Sequence, residues 1–185
     1  MRRLLTVAAA AAAISTTCLA AAQPAAASGC LINLGTCLVV TFPSGPLNFG
    51  SVNAATSTIS AEQAMSVAAG NTWGIKISSD QAGGKMKEWT GSAYVSSSPK
   101  IMHNALQWRV SSINGANQAT SFANLSNTPS VALTNQPITG CVLVLLTCTD
   151  IPLGFKFKLN TSFSDANAGA NDYRIQVTYD VALGY

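Results

Sequence analysis

The fold is decided near the C-terminus, where "DYRIQVTYDVALGY" (Asp172–Tyr185) alternates with period two. Tyr173, Ile175, Val177, Tyr179, Val181 and Leu183 fall on one face, and Arg174, Gln176, Thr178 and Asp180 on the other. A helix would scatter these residues around its axis, whereas a strand sorts them into one apolar and one polar side. "FKFKLN" (Phe155–Asn160) repeats the pattern with Phe155, Phe157 and Leu159 against Lys156, Lys158 and Asn160. "TWGIKIS" does so through Trp73, Ile75 and Ile77, and "LQWRV" through Leu106, Trp108 and Val110. Strands with one wet and one dry face belong to antiparallel sheets packed on a single side.

Shorter strands are expected at Leu38–Phe42, Leu47–Val52, Thr56–Val67 and Val131–Leu133, separated by turn-rich "FPSGP", "SSDQAGGK", "SSSP" and "SINGANQ". "SAEQAMSVAAG" (Ser60–Gly70) comes closest to an amphipathic helix, but its β-branched flanks and the following Asn71 favour strand. Short strands without crossover helices predict an all-β chain: an antiparallel, immunoglobulin-like β-sandwich.

Upstream, Met1-Arg2-Arg3 is followed by an uncharged, Ala-rich run from Leu4 to Leu19 and by "AAAQPAAAS". This is the order of a bacterial secretory leader, and Ala25 and Ala27 place the cut after Ala27. Ser15, Thr16 and Thr17 interrupt the run, which is too weak for a membrane-spanning helix. The alternative is a cut before Cys30 with lipid on that cysteine. Residues 28–185 then form one domain of sufficient size for its own core.

The chain carries a formal charge of +3 with 9% charged residues, and losing Arg2 and Arg3 leaves +1. No basic stripe remains to hold phosphate backbones, so nucleic acid is excluded as a partner class. The 48% hydrophobic content argues against disorder.

Two segments share one cysteine frame: "GCLINLGTC" (Gly29–Cys37) and "GCVLVLLTC" (Gly140–Cys148). Cys18 leaves with the leader, so Cys30, Cys37, Cys141 and Cys148 predict two disulfides in an oxidising compartment. Local pairing (Cys30–Cys37 and Cys141–Cys148) requires each interior to fold back. Extended, the seven-residue step would span about 23 Å, against a Cα limit of about 7 Å. Crossed pairing (Cys30–Cys148 and Cys37–Cys141) would suit two antiparallel strands, and both remain open. Closed loops would present Leu31, Ile32 and Leu34, with Val142, Leu143, Val144, Leu145 and Leu146, as apolar partner contacts.

Chemistry-bearing constellations are sparse. His103 is the single histidine, expected on a surface loop in "KIMHNAL", and no Gly-x-Ser-x-Gly elbow accompanies it. Glu62 and Glu88 are the only glutamates and neither neighbours another acid. "DANAGAND" (Asp165–Asp172) lacks the Gly and Glu that an EF-hand loop needs, with Ala170 and Gln176 at those places. It is expected to be a turn between the Phe155 and Tyr173 strands. No catalytic residue, cofactor or metal is therefore expected.

The order "LNFGSV" (Leu47–Val52), "NTWGIKISSD" (Asn71–Asp80), "LQWRV" and "AGANDYRIQVTYDV" (Ala168–Val181) resembles secreted bacterial surface proteins related to WxL-type cell-wall-binding domains. More loosely it resembles fimbrial-type subunits. Trp73-Gly74-Ile75 stands where the first Trp-x-Leu would be, and Tyr179-Asp180-Val181 in place of the distal one. The resemblance implies a β-sandwich at the cell surface, with cell-wall polymer or other surface-protein subunits, a homo-oligomer included, as partners. Trp73, Trp108 and Tyr179 lie on apolar strand faces and are expected in the core. Trp89 in "KMKEWTGSAY" lies outside clear alternation and, with Tyr94, is the better candidate for an exposed contact. The function expected is that of a non-enzymatic structural or adhesive protein, the alternative being a cell-wall or glycan-binding module.

Overall fold

The computed structural model describes residues 7–11, 37–118, 121–138, 141–142 and 147–185, without side-chain detail for 7–11, 141–142 and 147–148. In chain order the first strands are β1 (Val7–Ala11), β2 (Leu38–Thr41), β3 (Leu47–Asn48), β4 (Ser57–Ile59), β5 (Gln63–Ala69) and β6 (Trp73–Ser79). A 3₁₀ turn at Ala82–Gly84 leads to β7 (Lys85–Trp89), β8 (Ile101–Ala105), β9 (Gln107–Ile113), β10 (Ala116–Asn117) and β11 (Ala123–Asn124). The chain ends with β12 (Ser130–Gln136), β13 (Cys141–Val142), β14 (Thr147–Cys148), β15 (Ile151–Asn160) and β16 (Asp172–Leu183). The described residues contain no α-helix.

Two sheets pack face to face. The first has the order β12-β6-β16-β1-β3, with β7 beside β16 and β8 beside β7. The second runs β10-β9-β15-β5-β2, with β11 on β9 and β4 on β15. Apart from β1, which runs parallel to β16, all of these ladders are antiparallel. β1 comes from the stretch read as a leader and sits between β16 and β3.

The alternation read from sequence becomes burial. Tyr173, Ile175, Val177 and Tyr179 of β16 point inward, as do Phe155, Phe157 and Leu159 of β15. The sheets meet where the Phe155 ring stands edge-on to Tyr179, 5.1 Å between centroids. Burying each such apolar side chain contributes on the order of 1.5–3 kcal/mol, which offsets the cost of ordering the strands. Trp73 is fully buried and donates its indole N–H to the Pro137 carbonyl at 3.0 Å.

Three local expectations change. The Leu47–Val52 strand pairs only at Leu47–Asn48, because the Asn48 side chain accepts the Gly50 N–H at 2.7 Å and turns the chain away. His103 lies on β8, exposed, and not in a loop. Lys85–Trp89, outside clear alternation in sequence, is a regular strand with Met86 and Glu88 inward and Trp89 outward. Its inward acid masked the pattern.

Candidate functional site

Trp89 and Tyr94 are brought together by a tight hairpin. The Thr90 N–H reaches the Ala93 carbonyl (2.9 Å), the Val95 N–H reaches the Glu88 carbonyl (3.0 Å), and Gly91 supplies a left-handed φ of 99°. The two rings meet edge to face, centroids 5.0 Å apart. Trp89 lies opposite Asp172 on β16 and Lys87 opposite Arg174, so Arg174 is the diagonal neighbour of Trp89 on the same outer face. Its guanidinium sits 4.5 Å from the indole ring, while the Lys87 ammonium lies 5.8 Å from the Tyr94 ring. A contact of this kind contributes about 0.5–1 kcal/mol at an exposed site.

Asp80 fixes the pair from below. Its carboxylate accepts the Tyr94 hydroxyl at 2.7 Å, the Gln81 amide at 3.0 Å and the Gln176 backbone N–H at 2.8 Å. Burial and the bond to Asp80 push the Tyr94 phenol well above its ordinary value. It therefore stays a neutral donor. Along the same face, the Lys76 ammonium lies 3.9 Å from the Tyr185 ring, whose hydroxyl donates to Asp180 at 2.6 Å. The outer side of the first sheet thus carries Trp89, Tyr94 and Tyr185, each held by a cation or a carboxylate. Half-buried aromatics locked by such partners lose little entropy when a ligand packs on them.

Glu88, directly beneath, is 7% exposed and anchors the neighbouring loop. It accepts the Lys100 N–H at 3.0 Å and the Asn171 amide at 2.9 Å, with the Lys100 ammonium at 4.0 Å. The Lys100 backbone bond, then that of Asn171, hold its carboxyl below the ordinary 4.5, against the opposing effect of burial.

The remaining candidates lie apart from this face. Cys37 is buried, 5% exposed, and disulfide-bonded. In the hairpin formed by β13 and β14, Cys141 stands directly opposite Cys148. Directly opposed residues of an antiparallel pair have Cα atoms about 4.5–5.5 Å apart, within the range a disulfide bridges. Cys30, Leu31, Ile32, Leu34, Leu143, Val144, Leu145 and Leu146, and the side chain of Val142, lie outside the described residues. Trp73, expected in the core, is wholly buried and presents no surface.

His103 offers its backbone N–H to Asp165 at 2.6 Å, and Asp165 also accepts the Ser162 N–H at 2.6 Å. The Asp165–Asp172 segment is thus a carboxylate-braced loop. Among the described residues no group of three or more His, Cys, Asp or Glu side chains is placed to hold a metal. Sequence reasoning missed Arg174, Lys87 and Asp80. Only the outward phase of β16 hinted at Arg174, and nothing local hinted at Asp80.

No family model matches the chain, and no curated protein or solved structure matches it.

Proposed function

We propose that the protein is a non-enzymatic, extracellular adhesive β-sandwich that holds a cell-wall polymer or glycan on the outer face of its first sheet. The observation that carries this reading is the Trp89–Tyr94 pair, edge to face at 5.0 Å and buttressed by Arg174 and Asp80. Rigid aromatics beside amide and carboxylate groups suit the two sides of a sugar, apolar C–H faces and hydroxyl edges. Secretion, an immunoglobulin-like strand arrangement and kinship with WxL-type surface domains belong to the same reading. So do two local disulfides, Cys30–Cys37 and Cys141–Cys148, the second supported by the cross-strand position of its cysteines. Cosedimentation with purified bacterial walls tests it: the parent protein pellets, Trp89→Ala stays in the supernatant, and no pelleting of the parent sinks the proposal.

A second reading, an assembling subunit, draws on β1. If export removes residues 1–27, the β16 edge from Tyr173 to Val177 and the short β3 lose the strand between them. Unpaired edges recruit strands from other chains. Protein starting at Ser28 would then form oligomers in size-exclusion chromatography, and a strictly monomeric product counts against it.

A further inference from the structure

A recess lies apart from Trp89, where the turn after β3 meets the loop after β15. It encloses about 190 Å³ between the Val52–Ala54 turn, β8 and the loop that begins at Asp165. Its walls are apolar, with Val52, Ala54, Met102 and Tyr173 among them, and Met102 and Tyr173 are 2% and 1% exposed. Its polar groups are neutral or acidic: Asn53, Thr161, Ser162, Asp165 and Asn167. Among the described residues no lysine or arginine lines it, and the Lys100 ammonium, which donates to the Asn167 carbonyl at 2.7 Å, stands outside the lining.

Three properties narrow the occupant. A cavity of about 150 Å³ accommodates a six-atom ring, so this one takes a single ring with part of its substituents. A carboxylate held by backbone N–H groups in an apolar recess disfavours anions and rewards hydroxyl donors. Asp165 is also rigid, since the His103 and Ser162 N–H groups each hold one of its oxygens at 2.6 Å. The Tyr173 hydroxyl is already spent on the Ala166 carbonyl at 2.6 Å, so that residue contributes its ring to the wall.

We infer that this recess is a second binding site, one that seats a single neutral sugar ring. The hydroxyls lie toward Asp165 and the amides of Asn53 and Asn167, and the C–H face lies on Val52 and Ala54, with Met102 and Tyr173 forming the floor behind them. The inference deepens the glycan-binding reading, and the two fail separately because they involve different residues. The Asp165–Asn171 loop borders both places: Asp165 lines the recess, while Asn171 bonds to Glu88, the residue before Trp89.

The test is an amide-resolved NMR titration with methyl α-glucoside, N-acetylglucosamine and, as the anionic probe, glucuronate. The His103 and Ser162 amides report on Asp165 directly, and the Trp89 indole N–H reports on the outer face. At least one neutral sugar should shift both amides saturably without needing the Trp89 signal to move. Ala54→Leu, which fills the recess from an exposed turn, should weaken that binding at least tenfold while leaving the rest of the spectrum unchanged. Trp89→Ala should leave the His103 and Ser162 shifts intact. Neutral sugars that shift neither amide, glucuronate binding as tightly as the neutral sugars, or shifts indifferent to Ala54→Leu would each overturn the inference. Shifts confined to Trp89 would overturn it while sparing the outer-face reading.

Discussion

Gly83 and Gly84, adjacent in the 3₁₀ turn before β7, allow a backbone effect and a packing effect to be separated. Both are left-handed, with φ of 64° and 63°. A Cβ at Gly83 would meet nothing within 4 Å, whereas one at Gly84 would lie 2.1 Å from the Leu125 carbonyl oxygen and 2.5 Å from its carbon. Gly83→Ala therefore incurs only the left-handed penalty, about 1 kcal/mol. Gly84→Ala incurs the same penalty and must also push the Leu125 backbone away by about 1 Å.

That backbone has no slack. Leu125 is 1% exposed, its N–H bonds to the Leu106 carbonyl at 2.7 Å, and the Leu106 N–H bonds to the Gly84 carbonyl at 2.8 Å. Losing one or two of these buried bonds costs about 1–3 kcal/mol each. Gly84→Ala should therefore lose about 2–7 kcal/mol in all. For a domain of this size the difference corresponds to roughly 10 °C in Tm. Urea denaturation followed by tryptophan fluorescence gives both values on one protein background. Two variants within about 1 kcal/mol of each other would refute the reasoning, because the steric contact at Leu125 would then carry no weight.

Phe155→Ala removes a fully buried ring and its contact with Tyr179, and should cost about 3–5 kcal/mol in the same assay. Trp89→Ala, on the outer face, should cost only about 1–2 kcal/mol while abolishing wall pelleting, so a large stability loss there would place the ring in the core. Glu88 is held below its ordinary 4.5, so its contribution is complete above that value and is lost as pH falls below it. The acid limb of the stability–pH curve should flatten in Glu88→Gln, and an unchanged limb would remove the carboxylate from the account. Tyr173 is pushed up to about 12, by burial first and then by the charges of Asp165 and Glu88. Its stabilisation is complete below the ordinary 10 and is lost as pH rises toward 12. Phenolate absorbance at pH 10–11 should therefore lag that of free tyrosine until the fold opens.

How much of this was legible depended on whether a residue's partners were local. The strands of Tyr173, Phe155, Trp73 and Trp108 were readable because burial on one face imposes period two on the sequence itself. β7 was not, since its inward Glu88 is polar, made tolerable by the distant Lys100 N–H and Asn171 amide and by the Lys100 ammonium. β8 hid for the opposite reason: Ile101, 53% exposed, points outward beside the buried Met102.

The sequence by itself determined the all-β character, the core faces of the long strands, and Trp89 with Tyr94 as outlying aromatics. Each of these follows from side-chain type and spacing along one segment. Only the tertiary structure decided that Arg174 lies over Trp89, that Asp80 holds Tyr94, and that Val52, Met102, Asp165 and Tyr173 enclose one recess. Those groups meet through ladder registers and loop closures between segments far apart in the chain. Such registers are set by the cooperative packing of two sheets on one core, which no single stretch of residues encodes.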